Sequence, residues 1–160
     1  MKILGIDPGS GIIGFGCIEL TKRTPRLVDA GVIRTTIGND TASRLLELYT
    51  SLTELITELK PDAASVEKLF FSQNVTTGMA VSQARGVILL CLQQAGIQIA
   101  EYTPLQIKMA ITGYGKAKKT DIQEMVRIQL GLTEVPKPDD CADALAAALT
   151  HSTVVVYSSK

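Results

Sequence analysis

The sequence predicts an α/β fold built on a mixed five-stranded sheet, three antiparallel meander strands plus two parallel ones, with helices on both faces. Three observations lead there. Three β-rich stretches come first, joined by tight connections. The apolar period then changes from strand to helix spacing. Two further short apolar runs follow, each alternating with a helical pattern.

Residues 2–7 are a short apolar run ending in Asp-Pro-Gly, a strand and then a turn. Residues 12–20 are a second strand, with a turn over Thr21–Pro25, and residues 26–36 a third. Leu45, Leu48, Tyr49, Leu52, Leu55, Ile56 and Leu59 recur at helical spacing, so residues 41–59 form an amphipathic helix closed by Pro61. Residues 63–67 make the fourth strand. Asn74 can cap a long helix to Gln94, with Gly96 beyond its end. Residues 97–102 make the fifth strand. Thr103-Pro104-Leu105-Gln106 is a capping box with Pro at the first helical position, and that helix stops at Gly113. Thr120-Asp121-Ile122-Gln123 reads as a second box, opening a helix to Leu130. Asp139 to Thr150 is the last helix.

The chain has 160 residues, 46% of them apolar, enough for a core in one domain spanning residues 1–160. Sixteen basic residues balance 16 acidic ones. That balance excludes a strongly basic coat protein, and the apolar share excludes a disordered tail. No stretch reads as a signal peptide or a membrane span. Cys17, Cys91 and Cys141 are odd in number and widely spaced, which argues against a disulfide framework or a zinc site. A reduced, cytoplasmic protein is expected. Cys141 reads as a small packing residue, and the single His151 as a surface or helix-end residue.

Four acids stand out by position. Asp7 and Glu67 end apolar strands, where a buried charge without a partner is costly. Asp140 and Asp143 are three apart at the start of the last helix, on one face. Acids also suit a helix start, which accounts for Asp139 as a cap. Asp143 is harder to explain that way among Ala142, Ala144, Leu145 and Ala146. Strand-end acids in an α/β sheet gather at one edge, and four close carboxylates raise each other's pKa. Divalent cations remove that conflict, and an all-oxygen ligand set suits Mg²⁺ or Mn²⁺.

Four motifs now stand in order: Gly5-Ile6-Asp7-Pro8-Gly9-Ser10, Val66-Glu67-Lys68-Leu69-Phe70-Phe71, Gln83-Ala84-Arg85-Gly86 and Asp140-Cys141-Ala142-Asp143-Ala144-Leu145-Ala146. Together they resemble the RuvC family of Holliday-junction resolvases. The resemblance implies a ribonuclease-H-like fold. It implies that Asp7, Glu67, Asp140 and Asp143 are catalytic and hold two Mg²⁺ ions per active site, with Mn²⁺ able to substitute. It implies a homodimer that nicks two like strands of four-way junction DNA symmetrically, in recombination and repair, alongside the RuvA-RuvB branch-migration complex.

The same resemblance makes Phe70 a stacking residue at the junction and Lys108 and Lys119 DNA-binding lysines. Aromatic stacking is worth about 1–3 kcal/mol per base. Phe71 reads as a core residue. Lys116, Lys118 and Lys119 crowd a glycine-hinged loop and suit phosphate contacts. For Arg85, DNA contact and packing both remain open. The helix at 74–95 is the candidate dimer interface.

Other readings carry less. Gly9-Ser10-Gly11-Ile12-Ile13-Gly14 matches a dinucleotide fingerprint, but a strand follows it where that site needs a helix. An actin-like nucleotide-binding fragment would share the Asp7–Ser10 turn but lacks room for a second lobe. A non-catalytic junction-binding protein leaves four clustered acids without a purpose.

Overall fold

The computed structural model describes residues 1–68 and 75–158. Phe70, Phe71 and the Asn74 cap lie outside them. The strands are β1 (Lys2–Asp7), β2 (Ile12–Thr21), β3 (Thr24–Arg34), β4 (Ala63–Glu67) and β5 (Gln98–Tyr102). The helices are α1 (Thr41–Leu59), α2 (Val75–Gln94), α3 (Pro104–Thr112), α4 (Lys119–Leu130) and α5 (Asp139–Ser158). Sheet order is β3-β2-β1-β4-β5. The first three strands pair antiparallel, while β1, β4 and β5 run parallel. This is the architecture the sequence predicts.

Alternation along β1 sends neighbouring side chains to opposite layers. Leu4 and Ile6 join Ile13 and Cys17 against Leu48, Leu52 and Ile56 of α1 and Ile88 and Leu92 of α2. Ile3 and Ile18 face Ile107 and Ile111 of α3, Ile122 and Val126 of α4, and Leu145 and Leu149 of α5. The three cysteines are buried free thiols. Among the described residues, no helix is long and apolar enough to cross a membrane.

Four local expectations are corrected. The β2–β3 turn is only two residues, because Lys22 and Arg23 both take positive φ (50° and 70°), the geometry of a tight hairpin. Helix α4 starts earlier than the Thr120 box. Lys118 is its extended cap residue, and the Asp121 carboxylate accepts the Lys118 N–H at 2.8 Å. Asp139 lies within the first turn of α5 instead of capping it. Helix α5 also continues past Thr150. The hydroxyls of Thr150, Ser152 and Thr153 donate to carbonyls one turn back, so the polar run stays helical. His151 is therefore buried mid-helix, where its Nδ1 shares a 2.9 Å hydrogen bond with the Tyr102 hydroxyl.

Helix α5 lies on bare strand backbone. A Cβ on Gly5 would overlap the carbonyl of Ala144, one on Gly14 the carbonyl of Asp140, and one on Gly16 the side chain of Leu145. On the helix side Ala142, Ala144, Ala146, Ala147 and Ala148 are wholly buried. The Ser65 hydroxyl of β4 donates to the Ala147 carbonyl at 2.7 Å. Small residues on both partners permit this approach. Gly5→Ala puts a methyl into helix backbone, which cannot rotate away. It is expected to cost about 1–3 kcal/mol or more, read as a lower urea midpoint; an unchanged midpoint would contradict the close approach.

Candidate active site

Asp7 and Glu67 are the last residues of two adjacent parallel strands. Ile6 pairs with Val66, so the two acids emerge side by side at the carboxyl edge of the sheet. Helix α5 begins over the same edge, since Gly14, opposite Asp7 in the antiparallel register, carries the Asp140 carbonyl on its bare Cα. The start of α5 thus delivers Asp140, and Asp143 one turn on, to Asp7.

The electrostatics record that convergence. Asp7 is pushed up from the usual 3.8 to about 8. Burial is the largest cause, followed by the charges of Glu67, Asp143 and Asp140, with Lys119 opposing. Glu67 is also raised, by burial first and Asp143 second, with Lys108 and Lys119 opposing. Asp143 thus acts on both Asp7 and Glu67, yet among the described residues no three acids, histidines or cysteines close into a ligand set around one point.

Lys119, the first residue of α4, reaches the acids directly. Its Nζ lies 2.8 Å from Asp143 and 3.5 Å from Asp139. The hydrogen bond with Asp143 raises the lysine's pKa. The ammonium side chain is 51% exposed, so the pair contributes only about 0–1 kcal/mol. One half-exposed lysine does not neutralise four acids. Beside it lies a cavity of about 240 Å³, walled by Pro104, Ile107 and Ile122 and rimmed by Glu67, Asp143, Lys108 and Lys119.

The structure brings together Asp7, Glu67, Asp140, Asp143, Lys108 and Lys119. Lys116 and Lys118 are exposed on the loop before α4, flanking buried Ala117. Phe70 is outside the described residues. Arg85 ion-pairs with Glu101 of β5, while its Nε is buried without a hydrogen-bond partner. The glycine motif at 9–14 runs straight into strand β2, so no helix N-terminus meets a pyrophosphate there.

Sequence reasoning missed Arg44. Its Nη2 donates to the Ser10 carbonyl at 2.5 Å and its Nε to Thr35 Oγ1 at 3.0 Å. A basic residue one turn inside an amphipathic helix gives no sequence signal of such a long-range tie. The Tyr102–His151 pair was equally hidden, since a lone helical histidine carries no sign of its burial.

Comparison with known proteins agrees with this geometry. The family model for crossover junction endodeoxyribonuclease RuvC matches residues 3–151. The crossover junction endodeoxyribonuclease RuvC of Chloroflexus aurantiacus is 51% identical over 152 residues, covering 95% of this chain and 93% of that protein. That of Moorella thermoacetica is 48% identical over 160 residues, covering 100% and 96%. Among solved structures, T. thermophilus RuvC in complex with a Holliday junction substrate superposes with a TM-score of 0.92 at 33% identity, covering 99% and 96%. The yeast mitochondrial Holliday junction resolvase Ydc2 shares the fold at 14% identity, with a TM-score of 0.70 over 94% and 77% of the two chains. With a family match across almost its whole length and relatives near half identity, this chain belongs to the RuvC family of crossover junction endodeoxyribonucleases.

Proposed function

We propose that this chain resolves four-way DNA junctions by paired symmetric nicks, through metal-dependent phosphodiester hydrolysis at Asp7, Glu67, Asp140 and Asp143. The observation that carries the reading is Asp7 itself. A half-buried strand-end carboxyl raised to about 8 by its desolvation and three acidic neighbours is a site short of positive charge. Its donors are all hard oxygens, which fits Mg²⁺, with Mn²⁺ able to replace it and two ions per site. Such ions supply a water of lowered pKa and charge stabilisation for the departing 3′-oxygen.

The chain's own groups do the rest. The four carboxylates hold the ions and orient the scissile phosphate at the sheet edge. Lys119 and Lys108 sit on the cavity rim, where they meet phosphate oxygens and anchor the cleaved strand. Lys116 and Lys118 add backbone attraction, and Phe70 stacks at the junction. Setting the four acids aside leaves 16 basic groups against 12 acidic ones, so the surface outside the pocket is mildly positive.

A two-fold substrate calls for a two-fold enzyme. Helix α2 supplies the surface: Met79 and Leu90 are 60% and 51% exposed, and Gly86 opens onto empty space. Residues 1–160 form one catalytic unit, two copies of which act on a junction in the cytoplasm, alongside the RuvA-RuvB complex. The buried free thiols suit a reducing compartment.

The test is nicking of a synthetic four-way junction with Mg²⁺. Asp7→Asn and Asp143→Asn are expected to lower the rate by at least about 100-fold while junction binding persists. Leu90→Lys is expected to give monomers in sedimentation and to uncouple the two nicks. Full cleavage by the folded acid variants would refute the assignment.

A pH dependence follows as well. Between about 4 and about 8 the folded protein holds a proton on Asp7 that the unfolded chain has lost. Folded-state proton uptake means stability falls as pH rises through that window. Melting in EDTA is expected to show this fall, and Mg²⁺ to reduce it, because metal binding favours the ionised acids. Parallel curves with and without Mg²⁺ would contradict the site.

A further inference from the structure

We propose that Arg44 is a positioning residue for Asp7, clamping the turn that leaves the catalytic strand. The proposal rests on the reading of Asp7 as catalytic.

Asp7 is followed by Pro8-Gly9-Ser10-Gly11 before β2 begins at Ile12. The turn is tight: a Cβ on Gly9 would overlap the Ile12 carbonyl. It lies at the sheet edge that carries the acids. Among the described residues, β4 pairs with β1 only up to Ile6, short of this turn.

Arg44 reaches this turn from α1. One arm of its guanidinium donates to the Ser10 carbonyl and Nε donates to Thr35 Oγ1. Nη2 also covers Gly11, where a Cβ would sit 2.7 Å from it. The Thr35 N–H donates in turn to the Gly11 carbonyl at 3.1 Å. One planar fork thus joins the turn after Asp7 to the segment after β3.

The support behind Arg44 is also fixed. Asp40 caps α1, accepting from the Ser43 N–H at 3.0 Å and the Ser43 hydroxyl at 2.6 Å. Glu47, one turn beyond Arg44, accepts the Thr36 N–H at 2.6 Å and the Asn39 side-chain amide at 2.7 Å. Helix α1 therefore grips the 35–39 segment at Thr35, Thr36 and Asn39, and the turn after Asp7 at Ser10. A lysine here would carry the charge but not the fork. The carboxyl of Asp7, held by burial among repelling neighbours, depends on its backbone being fixed.

The test has two arms. In metal-free protein, Arg44→Ala is expected to speed amide exchange of Thr35 by at least about tenfold, leaving the β1–β4 amides unchanged. In junction nicking with Mg²⁺, Arg44→Ala is expected to lower kcat at least about tenfold while KM for the junction stays within about threefold. Thr35→Val removes the acceptor for Nε with little change of shape and is expected to move both readouts the same way by less. Ser43→Ala weakens the α1 cap without touching the turn, and is expected to lower Tm but leave kcat unchanged. Unchanged Thr35 exchange in both variants overturns the clamp. Faster exchange with unchanged kcat overturns the positioning role, as does an equal kcat loss in Ser43→Ala. Full nicking by Asp7→Asn would instead overturn the catalytic reading and the positioning role with it, while the exchange arm still decides the clamp.

Discussion

The contact on which the rest depends is the seating of α5 on strand backbone. Gly5, Gly14 and Gly16 remove side chains from one face of β1 and β2, and alanines line the facing side of the helix. Ordinary helix-on-sheet packing, with side chains on both partners, would hold the helix farther away and carry Asp140 and Asp143 off Asp7. The proposed catalytic geometry is therefore set by residues that carry no chemistry. The apolar layers on either side, with Leu145 and Leu149 wholly or almost wholly buried, supply the stability that permits it.

The same contact creates an electrostatic conflict. Burial at this sheet edge, and after it the charge of acids brought together from two strand ends and one helix, lifts Asp7 to about 8 and raises Glu67. Lys119 opposes this but stays half exposed and paired chiefly with Asp143. The α5 packing that supplies stability leaves the acids at this edge offset only in part by Lys119, which is the basis for proposing a divalent cation there. The zero net charge of the whole chain conceals this sorting: four acids gather at one edge of the sheet, and the other 12 are outnumbered by 16 basic groups.

Most of the fold was legible because its signals are local. Alternation marks the strands, helical spacing marks α1, and Thr103-Pro104-Leu105-Gln106 marks α3. The four acids were legible because charge at the end of an apolar strand, or amid alanines, violates the local pattern. What stayed hidden depends on distant partners. Thr120 looked like a cap, yet Lys118 takes that place because Asp121 reaches back to its N–H. His151 looked like a helix end until the hydroxyls of Thr150, Ser152 and Thr153 carried α5 onward and the Tyr102 hydroxyl met it in the interior. Arg44 reaches Ser10 across 34 positions, a tie visible only once the chain is folded.

The central claim is that the α5 seating builds one carboxylate site for hard divalent cations. The most direct measurement is a crystal soaked in Mn²⁺, with the metal located by its anomalous scattering. The account predicts manganese at the carboxyl edge of the sheet, ligated by Asp7 together with Glu67, Asp140 or Asp143, and lost in an Asp7→Asn crystal. Manganese bound elsewhere, or retained at that edge without the Asp7 carboxylate, would contradict it.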